Sequence, residues 1–309
     1  MYPGLVAVSS RSFSKNKQLQ RHLNAYFSEV RWNEAGIQLK GNALVDFLGG
    51  ASYAIIGLEK IDEALLSKLP ALKVICKMGT GVDKIDFTAL ERYGVAFAAT
   101  PGLNKRSVSE LVLGLMFTLL RKLSVVHAQV QQGLWTQPTG QLLSQKTVGI
   151  IGYGAVGQDL ADILAIFGCR CLVYDEKIHD AFPAHVEPVP LSELLAQSDI
   201  ISLHVPLVAS TYHLLDTTEF DQMKPSCLLI NTARGGLINE KALYTALQAG
   251  KLAGAAMDVF EDEPCVPKDL LHLDNFFATS HIGGSTMEAI EAMGNCAVEQ
   301  LVKMYTLRT

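Results

Sequence analysis

The chain has 309 residues, which is enough for two domains of roughly 150 residues each. Apolar residues make up 49% of it and charged residues 18%, a balance that supplies a large packed core and excludes an intrinsically disordered chain. The net charge is −5 and the sequence contains no run of basic residues, so we expect no surface that binds nucleic acid.

The cysteine pattern and the N-terminal segment bear on the cellular compartment. The six cysteines form no Cys-x-x-Cys pair, which favours reduced thiols in a reducing compartment. The first residues, MYPGLVAVSSR, lack the basic and apolar regions of a signal peptide, and the longest apolar stretch, LVLGLMFTLL, is short for a bilayer. We therefore expect a cytoplasmic protein that does not bind a membrane.

In the first hundred residues, short β-rich runs alternate with amphipathic segments. The predicted strands read LVAVSS, VRW, YAIIG, LKVICK and VAFAAT, and the predicted helices cover 15–27, 42–48, 61–68 and 87–93. Strands that alternate with helices are typical of a parallel sheet with helices on both faces.

A second series of the same kind begins at TVGIIGYG. Its predicted strands cover 147–151, 169–175, 199–205, 227–233, 252–260 and 276–280, and its predicted helices cover 157–167, 191–196 and 240–248. The expected fold class is therefore α/β, with two Rossmann-like or flavodoxin-like αβα domains that each contain a parallel sheet.

Two long helical segments indicate the domain boundary. One is predicted over 107–131, between the two series, and the other over 285–305, after the second series has ended. A chain that leaves a domain through one helix and returns through another makes that domain discontinuous. We expect a substrate-binding domain of residues 1–100 plus 285–309, a dinucleotide-binding domain of residues 101–284, and ligands in a cleft between them.

The segment GYGAVG carries a G-x-G-x-x-G pattern directly after a predicted strand and at the start of a predicted helix. Gly152 allows a tight turn, Gly154 lacks the Cβ that would block a pyrophosphate, and Gly157 lets the helix pack against its strand. Asp175 follows 18 residues after Gly157, where it can bind ribose hydroxyls and repel a 2′-phosphate. The pattern predicts NAD rather than NADP, and Lys177 is a cation that would soften this preference. A glycine-rich turn without a ligand is the alternative.

Arg234, Glu263 and His281 each follow the end of a predicted strand, and such ends border the binding crevice of a parallel sheet. Removal of a hydroxyl proton needs a base, and the ordinary pKa of histidine, about 6.5, suits His281 to that role. Glu263 would orient the imidazole, and Arg234 would clamp a substrate carboxylate through two hydrogen bonds. Each residue taken singly has an alternative: Arg234 as a surface charge, Glu263 as part of an acidic turn, and His281 as a residue that only shapes a loop.

The segment KMGTGVD follows the predicted strand LKVIC. Its two glycines allow successive N–H groups to turn toward an anion. A turn before the helix that starts near Asp86 is the alternative.

The segments GYGAVG, INTARGGLINEKAL, AAMDVFEDEP and HIGGST, preceded by MGTGVDKID and ATPGLNKRSVSELVLG, resemble the family of D-isomer-specific 2-hydroxyacid dehydrogenases. The resemblance covers nearly the whole chain in order. It implies an NAD-dependent oxidoreductase that transfers hydride between the nicotinamide and C2 of a small D-2-hydroxy acid or 2-keto acid. It also implies a homodimer formed through the helix that begins near Ser107.

The resemblance implies three sets of site residues. The catalytic set comprises Arg234, Glu263 and His281. The cofactor contacts are Gly152, Gly154, Ala155, Val156, Gly157, Asp175, His204, Pro206, Thr232, Ala233, Arg234, Asp258, His281, Gly283 and Gly284. The substrate contacts are Lys77, Met78, Gly79, Thr80, Arg234 and His281. Asp258 also stands out by itself, because an unpaired acid at the end of an apolar strand is costly.

The resemblance is weaker in the residues that choose the substrate. Phosphoglycerate members of the family present cations to the phosphate from two places. At the first, the end of the strand YAIIG, this chain has Gly57 and Leu58 instead of an arginine, with Lys60 close by. At the second, the start of the segment KMGTGVD, it has Lys77 in place of an arginine. Lysine lacks the planar fork of arginine, which weakens the case for 3-phosphoglycerate or 3-phosphohydroxypyruvate. Hydroxypyruvate, glyoxylate or another 2-keto acid is the alternative. We expect no C-terminal regulatory domain and no control by serine through one.

Two other kinds of function are less favoured. Some relatives are NAD-sensing corepressors, but the chain lacks the disordered tails that regulatory scaffolds often carry. A methyltransferase would leave the arginine, glutamate and histidine without a role. We expect no metal site, because metal-ligand spacing is absent around six histidines, namely His127, His179, His185, His204, His213 and His272.

Overall fold

The computed structural model describes residues 1–177 and 181–307, and the chain divides into two compact units. Unit 1 comprises Met1–Asn104 and Gly284–Thr309, and unit 2 comprises Lys105–Gly283. The first segment of unit 1 ends at 104 rather than at the expected 100, and its second segment begins at 284 rather than at 285. The chain therefore crosses between the units at 104–105 and at 283–284.

Unit 1 is built on a parallel sheet with the strand order β2-β1-β3-β4-β5. Its elements are β1 (Val6–Val8), α1 (Arg11–Lys15), α2 (Lys17–Asn24), β2 (Val30–Trp32), α3 (Gly41–Leu48), β3 (Tyr53–Ile56), α4 (Glu63–Leu66), β4 (Val74–Lys77), α5 (Phe87–Arg92), β5 (Ala96–Ala98) and, as the last helix of the chain, α13 (Met287–Thr306).

Alternation along the strands of unit 1 produces a core on each face of the sheet. Val6 and Val8 pack with residues of α13 such as Val298, whereas Ala7 packs on the opposite face with residues of α3 such as Leu48. Successive side chains of a strand point to opposite faces, so a strand covered on both sides is apolar throughout. The helices therefore bury β1, β3 and β4 completely.

Unit 2 is built on a parallel sheet with the strand order β12-β11-β10-β9-β6-β7-β8. Its elements are α6 (Lys105–Leu120), α7 (Leu123–Gln131), β6 (Thr147–Ile151), α8 (Ala155–Ile166), β7 (Arg170–Tyr174), β8 (Val186–Pro188), α9 (Leu191–Gln197), β9 (Ile200–Leu203), α10 (Thr217–Gln222), β10 (Leu228–Asn231), α11 (Glu240–Gln248), β11 (Gly254–Met257), α12 (Lys268–Leu271) and β12 (Phe276–Ala278).

The same alternation places two cores around the sheet of unit 2. Ile150 faces residues of α6 and α8 such as Leu115 and Leu160, and Ile151 faces residues of α9 to α11 such as Phe220. The strand order reverses between β6 and β9, and ligands of doubly wound sheets bind beyond the carboxyl ends of the strands at such a point. Both units thus confirm the α/β class with parallel sheets.

The structure corrects several element boundaries. The single helix expected over 107–131 is two helices, α6 and α7, with a bend of 63° between them, because Lys122 adopts φ 54° in the left-handed region. The helix expected over 15–27 is α2, which begins only at Lys17 because the side chain of Asn16 caps its start, and which ends at Asn24. The sequence pattern does not predict α1, β8, α10 and α12. The strands β2 and β6 have the predicted bounds, and the other predicted strands are shorter than expected.

Helix length and apolarity decide whether a segment could cross a membrane. In the ranges 1–177 and 181–307, no single helix is both long enough and apolar enough to cross a membrane. The bent pair of α6 and α7 meets the requirement only when its two helices are counted together.

Candidate active site

His281 and Glu263 lie side by side, each following a strand of unit 2. Nδ1 of His281 is 2.9 Å from both Oε1 and Oε2 of Glu263, and both side chains are partly exposed. The backbone of His281 adopts φ 56°, a conformation that side chains with a Cβ rarely take. Because the carboxylate engages Nδ1, Nε2 is the ring nitrogen left to exchange a proton with a ligand.

Asp258 fixes the loop that carries His281. Its side chain is only 1% exposed and accepts hydrogen bonds from Thr279 Oγ1 at 2.6 Å, from the N–H of Ile282 at 2.8 Å and from the N–H of Gly283 at 2.8 Å. Its carbonyl oxygen accepts the N–H of His281 at 2.8 Å. Asp258, which is expected to contact the nicotinamide, thus holds the loop of His281 through hydrogen bonds to both of its carboxylate oxygens.

Ser107 is a residue of this site that the sequence analysis did not single out. Its hydroxyl donates to the carbonyl oxygen of Gly283 at 2.6 Å, while Asp258 holds the N–H of the same glycine. Gly283 is the last residue of unit 2, and Gly284, also expected at the cofactor, begins the second segment of unit 1. The only sequence signal for Ser107 was its place near the start of a predicted helix.

The loop of Arg234 follows β10 and is shaped by Asn231. The buried amide of Asn231 donates to the carbonyl oxygen of Arg234 at 2.8 Å and accepts the N–H of Ala233 at 3.0 Å. The guanidinium of Arg234 is half-buried and donates through Nη1 to the carbonyl oxygen of Ala233 at 2.6 Å. Gly235, which comes next, lies against the backbone of Phe260. The arginine loop is therefore built directly on the segment that leads to Glu263.

Glycines shape the turn between β6 and α8. A Cβ on Gly152, which has φ 101°, would lie 2.7 Å from the carbonyl carbon of His204, and a Cβ on Gly157 would lie 2.1 Å from the carbonyl oxygen of Gly152. A Cβ on Gly154 would meet no atom of the described residues within 4 Å. Gly152 and Gly157 thus allow close packing, and the backbone at Gly154 borders open space.

The start of α8 fits the phosphates of a dinucleotide. Gly154 precedes the helix, and no side chain of the described residues caps it. The N–H groups of Ala155, Val156 and Gly157 are therefore first-turn donors at the positive end of the helix dipole. Such an end is a ready site for a phosphate group.

Asp175 lies at the end of β7, next to the glycine turn. Its Oδ2 accepts the N–H of Tyr153 at 2.5 Å, and its Oδ1 accepts the N–H of Lys177 at 2.8 Å. The main chain of Lys177 thus supports the carboxylate. A carboxylate in this position fits the ribose hydroxyls of NAD and opposes the 2′-phosphate of NADP.

The other expected cofactor residues follow β9 and β10. His204 Nε2 lies 2.8 Å from Ser202 Oγ, and burial lowers the pKa of His204 to about 4. Pro206 is exposed, and its carbonyl oxygen accepts the hydroxyl of Thr211 at 2.7 Å. Thr232 is buried, and its Oγ1 has no hydrogen-bond partner in the part of the chain that the structure describes. A buried hydroxyl of this kind is a candidate contact for a bound ligand.

The expected substrate loop of unit 1 differs from the anion nest that its glycines suggest. The N–H of Met78 donates to the carbonyl oxygen of Ile56 at 2.9 Å, because β4 pairs with β3 up to this point. The N–H of Gly79 donates to Thr100 Oγ1 at 3.0 Å. These two N–H groups are therefore bonded within unit 1, and contact of this loop with a substrate stays a prediction. The N–H of Thr80 has no protein acceptor among the described residues.

Lys77 also differs from expectation. It is the last residue of β4, it is buried, and its Nζ donates to the carbonyl oxygen of Gly57. The ammonium group is thus engaged inside unit 1 instead of being displayed at the surface. The structural reason is the register of β3 and β4, which places the carboxyl ends of the two strands side by side.

Side chains of His, Cys, Asp and Glu are the groups that hold metal ions, and cysteine can also act as a nucleophile. Residues 1–177 and 181–307 contain no group of His, Cys, Asp or Glu side chains that could hold a metal ion, and His179 lies outside these ranges. All six cysteines are free thiols. Burial raises the pKa of Cys76, Cys171 and Cys227 to about 12, so these thiols stay protonated at neutral pH.

The sequence of unit 2 matches a known family of NAD-binding domains. Residues 113–283 match the NAD binding domain of the D-isomer specific 2-hydroxyacid dehydrogenases. This range covers most of unit 2, including the glycine turn, Asp175, Arg234, Glu263 and His281.

Comparisons with individual proteins agree with this match. A hydroxypyruvate reductase from Thermotoga maritima is 40% identical over 238 residues, which are 75% of this chain and 77% of that protein. A D-3-phosphoglycerate dehydrogenase from Methanocaldococcus jannaschii is 40% identical over 250 residues, 79% of this chain, but the chain spans only 48% of its length. The solved structure of a D-lactate dehydrogenase from Aquifex aeolicus, in complex with NAD and lactic acid, has a TM-score of 0.82 at 27% identity. The superposition covers 98% of this chain and 95% of that dehydrogenase.

Proposed function

This chain belongs to the D-isomer specific 2-hydroxyacid dehydrogenase family and is an NAD-dependent oxidoreductase, and we propose that it reduces a small 2-keto acid with Arg234, Glu263 and His281 as its catalytic residues. In the proposed reaction, the 2-keto acid, NADH and one proton give the D-2-hydroxy acid and NAD. The observation that carries the proposal is the contact of His281 Nδ1 with both carboxylate oxygens of Glu263 at 2.9 Å.

The proposed mechanism assigns one task to each of the three side chains. When bound, NADH would supply the hydride that C2 of the substrate needs. His281 donates a proton from Nε2 to the C2 oxygen, and Glu263 at Nδ1 fixes the tautomer and stabilises the imidazolium form. Arg234 binds the substrate carboxylate, for which its planar guanidinium offers paired donors. In the direction of oxidation, Nε2 accepts the hydroxyl proton instead.

The cofactor is proposed to bind along the carboxyl ends of the strands in unit 2. The N–H groups at the start of α8 would bind the pyrophosphate, and Asp175 would bind the adenosine ribose. The unpartnered Oγ1 of Thr232 would add a hydrogen bond. Asp258 would act through the loop of His281 that it holds.

The reaction is tested with a panel of 2-keto acids and NADH, followed by the loss of NADH absorbance. The panel includes glyoxylate, hydroxypyruvate, pyruvate and 3-phosphohydroxypyruvate. Turnover of at least one of these acids supports the proposal. Purified, folded protein that binds NADH but turns over none of them would overturn it.

Variants test the assigned roles. His281→Ala and Arg234→Ala are each expected to lower kcat/KM by about 10²- to 10⁴-fold, the range usual for loss of a positioned acid–base group. His272→Ala is the matched control, because His272 is exposed, follows α12 and has no role in the proposed mechanism. Circular dichroism checks that each variant is folded. A His281→Ala variant with the rate of the control would remove the mechanism.

A homodimer is also proposed. The support comes from α7, which is rich in apolar side chains. All nine residues of this helix are described, and none of them is buried in the single chain. Leu123 and Val130 are exposed on this helix, and Trp135 is exposed in the segment that follows it. Exposed apolar patches on a folded chain usually mark a contact with another molecule. Light scattering should give twice the chain mass, and Leu123→Lys combined with Val130→Lys should lower it to one.

We further propose a cytoplasmic location. The support is chemical: all six thiols are free, and the pKa values of three of them are raised by burial. Free thiols persist in a reducing compartment. Fractionation of cells that express the chain, with an antibody against it, tests the location, and recovery outside the cytoplasm would contradict the proposal.

A further inference from the structure

The segment between β9 and α10 in unit 2 pairs with the main chain that follows Arg234. The N–H of His213 donates to the carbonyl oxygen of Gly236 at 2.7 Å, and the N–H of Leu215 donates to the carbonyl oxygen of Leu237 at 3.1 Å. Gly236 is the second residue after Arg234. His213 therefore holds the main chain of the arginine loop.

The side chain of His213 extends to the segment that leads to Glu263. Its Nε2 lies 2.6 Å from Oε1 of Glu261, and both side chains are partly exposed. A carboxylate oxygen only accepts hydrogen bonds, so Nε2 is the donor. The N–H of Glu261 donates in turn to Oε1 of Glu240 at 2.9 Å, which holds the main chain at this point. Glu261 precedes Glu263 by two residues, so the imidazole is bonded to the glutamate loop.

The backbone of His213 adopts a conformation that is rare for a residue with a side chain. Its φ is 51°, in the left-handed region. Such conformations persist where the surroundings hold them in place, and they cluster at functional sites. Here the ring of Tyr212 stacks on the imidazole, with the centroids 4.0 Å apart and the planes 19° apart. The packing around His213 thus fixes the direction in which its side chain points.

The bond from His213 to Glu261 adds to the packing of Gly235 on Phe260. That packing sets how closely the arginine loop and the glutamate loop approach each other. A hydrogen bond is directional and weakens steeply as its angle departs from linearity, so it also resists sliding of one loop along the other. The two contacts together define one relative placement of the loops.

We propose that His213 is a positioning residue, which holds the loops of Arg234 and Glu263 in register through its bonds to Gly236 and Glu261. It acts through these loops and touches neither the substrate nor the cofactor. This inference rests on the proposed function, in which Arg234 binds the substrate carboxylate and Glu263 orients the catalytic imidazole. Loss of the bond to Glu261 should therefore impair use of the 2-keto acid.

Binding of the dinucleotide should not depend on His213. The start of α8 and Asp175, which are proposed to bind the pyrophosphate and the adenosine ribose, follow β6 and β7. His213 follows β9 and is bonded to the segments that follow β10 and β11. A variant that loses the bond should thus retain the dissociation constant of NADH, whereas a general loosening of unit 2 would weaken it.

The experiment compares His213→Asn with His213→Gln in the purified chain. Asparagine tolerates the left-handed backbone, but its amide is too short to replace Nε2. Glutamine places its amide nitrogen near the position of Nε2 and can still donate to Glu261. The probe is the 2-keto acid that the parent reduces fastest with NADH, among glyoxylate, hydroxypyruvate, pyruvate and 3-phosphohydroxypyruvate. Fluorescence titration gives the dissociation constant of NADH, and melting curves check folding.

The expected result separates the two substrates. In His213→Asn, kcat/KM for the 2-keto acid should fall by about tenfold, because small misplacements of reacting groups are costly, while the dissociation constant of NADH is unchanged. His213→Gln should restore kcat/KM to within about threefold of the parent. His185→Asn is the matched control, since Nε2 of His185 lies 3.0 Å from Oδ1 of Asp162 in a similar partly exposed pair outside the catalytic loops. It should keep the kcat/KM of the parent.

Three results would overturn the inference in a folded variant while the parent remains an active dehydrogenase. These are parental kcat/KM in His213→Asn, no recovery in His213→Gln, and an equal loss of NADH binding in His213→Asn. A parent that turns over none of the acids would instead remove the proposed function, and the inference with it.

A double variant tests whether His213 acts through Glu261. Glu261→Ala removes the acceptor of the imidazole, so adding His213→Asn should lower kcat/KM no further. Residues that act through one shared bond show such non-additive losses, whereas independent sites add. Losses that multiply in the double variant would show that the two side chains act separately, and they would overturn the assigned route.

Discussion

The main chain of Gly235 lies directly on that of Phe260. A Cβ added to Gly235 would be 2.0 Å from the carbonyl carbon and from the carbonyl oxygen of Phe260, and 2.4 Å from the nitrogen of Glu261. Real Cβ atoms do not approach the backbone this closely. Arg234 precedes the glycine, and Glu263 follows two residues after Glu261. The loop of Arg234 and the loop of Glu263 thus pack directly on each other at Gly235, a position that only glycine can occupy.

Gly235→Ala should therefore separate the two loops. We expect kcat/KM to fall by about 100-fold or more and the free energy of unfolding to fall by about 1–3 kcal/mol, as is usual for overpacking against rigid atoms. Steady-state kinetics and urea unfolding measure the two effects. The control is Gly114→Ala in α6, where a Cβ would meet no described atom within 4 Å. That change should stabilise the helix by roughly 0.5–1 kcal/mol. Full activity in Gly235→Ala would contradict the interlocking.

Ser107→Ala tests the hydrogen bond that supports the histidine loop from α6. Loss of the hydroxyl leaves the carbonyl oxygen of Gly283 without its donor at 2.6 Å, and an unsatisfied buried acceptor costs about 1–3 kcal/mol. We expect kcat to fall by about tenfold, because the orientation of His281 depends on this loop. Ser67→Ala, at an exposed serine after α4, is the control for a serine-to-alanine change. Unaltered kcat in a folded Ser107→Ala variant would show that Asp258 holds the loop alone.

Much of the fold could be read from the sequence because its signals are local. Apolar runs separated by amphipathic segments predicted both parallel sheets, and the glycine spacing predicted the turn before α8. The break at Lys122 could not be predicted in this way, because no glycine or proline stands there and a lysine rarely adopts φ 54°. The start of α2 at Lys17 could not be predicted either, because only the structure shows that the side chain of Asn16 caps this helix.

The site shows the same limit. That Glu263 and His281 follow neighbouring strand ends was visible from the order of strands, and the structure brings them to 2.9 Å. The bond from the Met78 N–H to Ile56 could not be predicted from the sequence, because strand pairing depends on register and not on glycine content. Ser107 and Gly235 were missed because their partners lie far along the chain or in the backbone of another loop.

Asp175→Asn tests the choice of cofactor. The carboxylate accepts the N–H groups of Tyr153 and Lys177, and its charge would repel a 2′-phosphate. The amide keeps an acceptor oxygen and removes the charge, so the ratio of kcat/KM with NADPH to that with NADH should rise by about tenfold or more. Glu176→Gln, at the exposed acid next in the chain, is the charge-matched control and should leave the ratio unchanged. An equal change in both variants would indicate a general effect of surface charge.

His204 should make the stability of the protein depend on pH. Burial lowers its pKa to about 4 in the folded chain, against about 6.5 in an unfolded one. Between these values the unfolded chain binds the proton and the folded chain does not. The free energy of unfolding therefore falls as the pH is lowered from about 6.5 toward 4, by at most about 3 kcal/mol from this group. Above pH 7 the imidazole is neutral in both states and the contribution vanishes.

The measurement is urea unfolding of the parent and of His204→Asn at pH 7.5 and pH 5. Asparagine cannot take up this proton, so the parent should lose about 2 kcal/mol more than the variant on going to pH 5. The side chain of Ser202, 2.8 Å from the imidazole, can still bond to the amide, which limits other losses. His127→Asn is the control, because His127 is exposed on α7. The buried neutral imidazole is ruled out if the parent and His204→Asn lose equal stability on acidification.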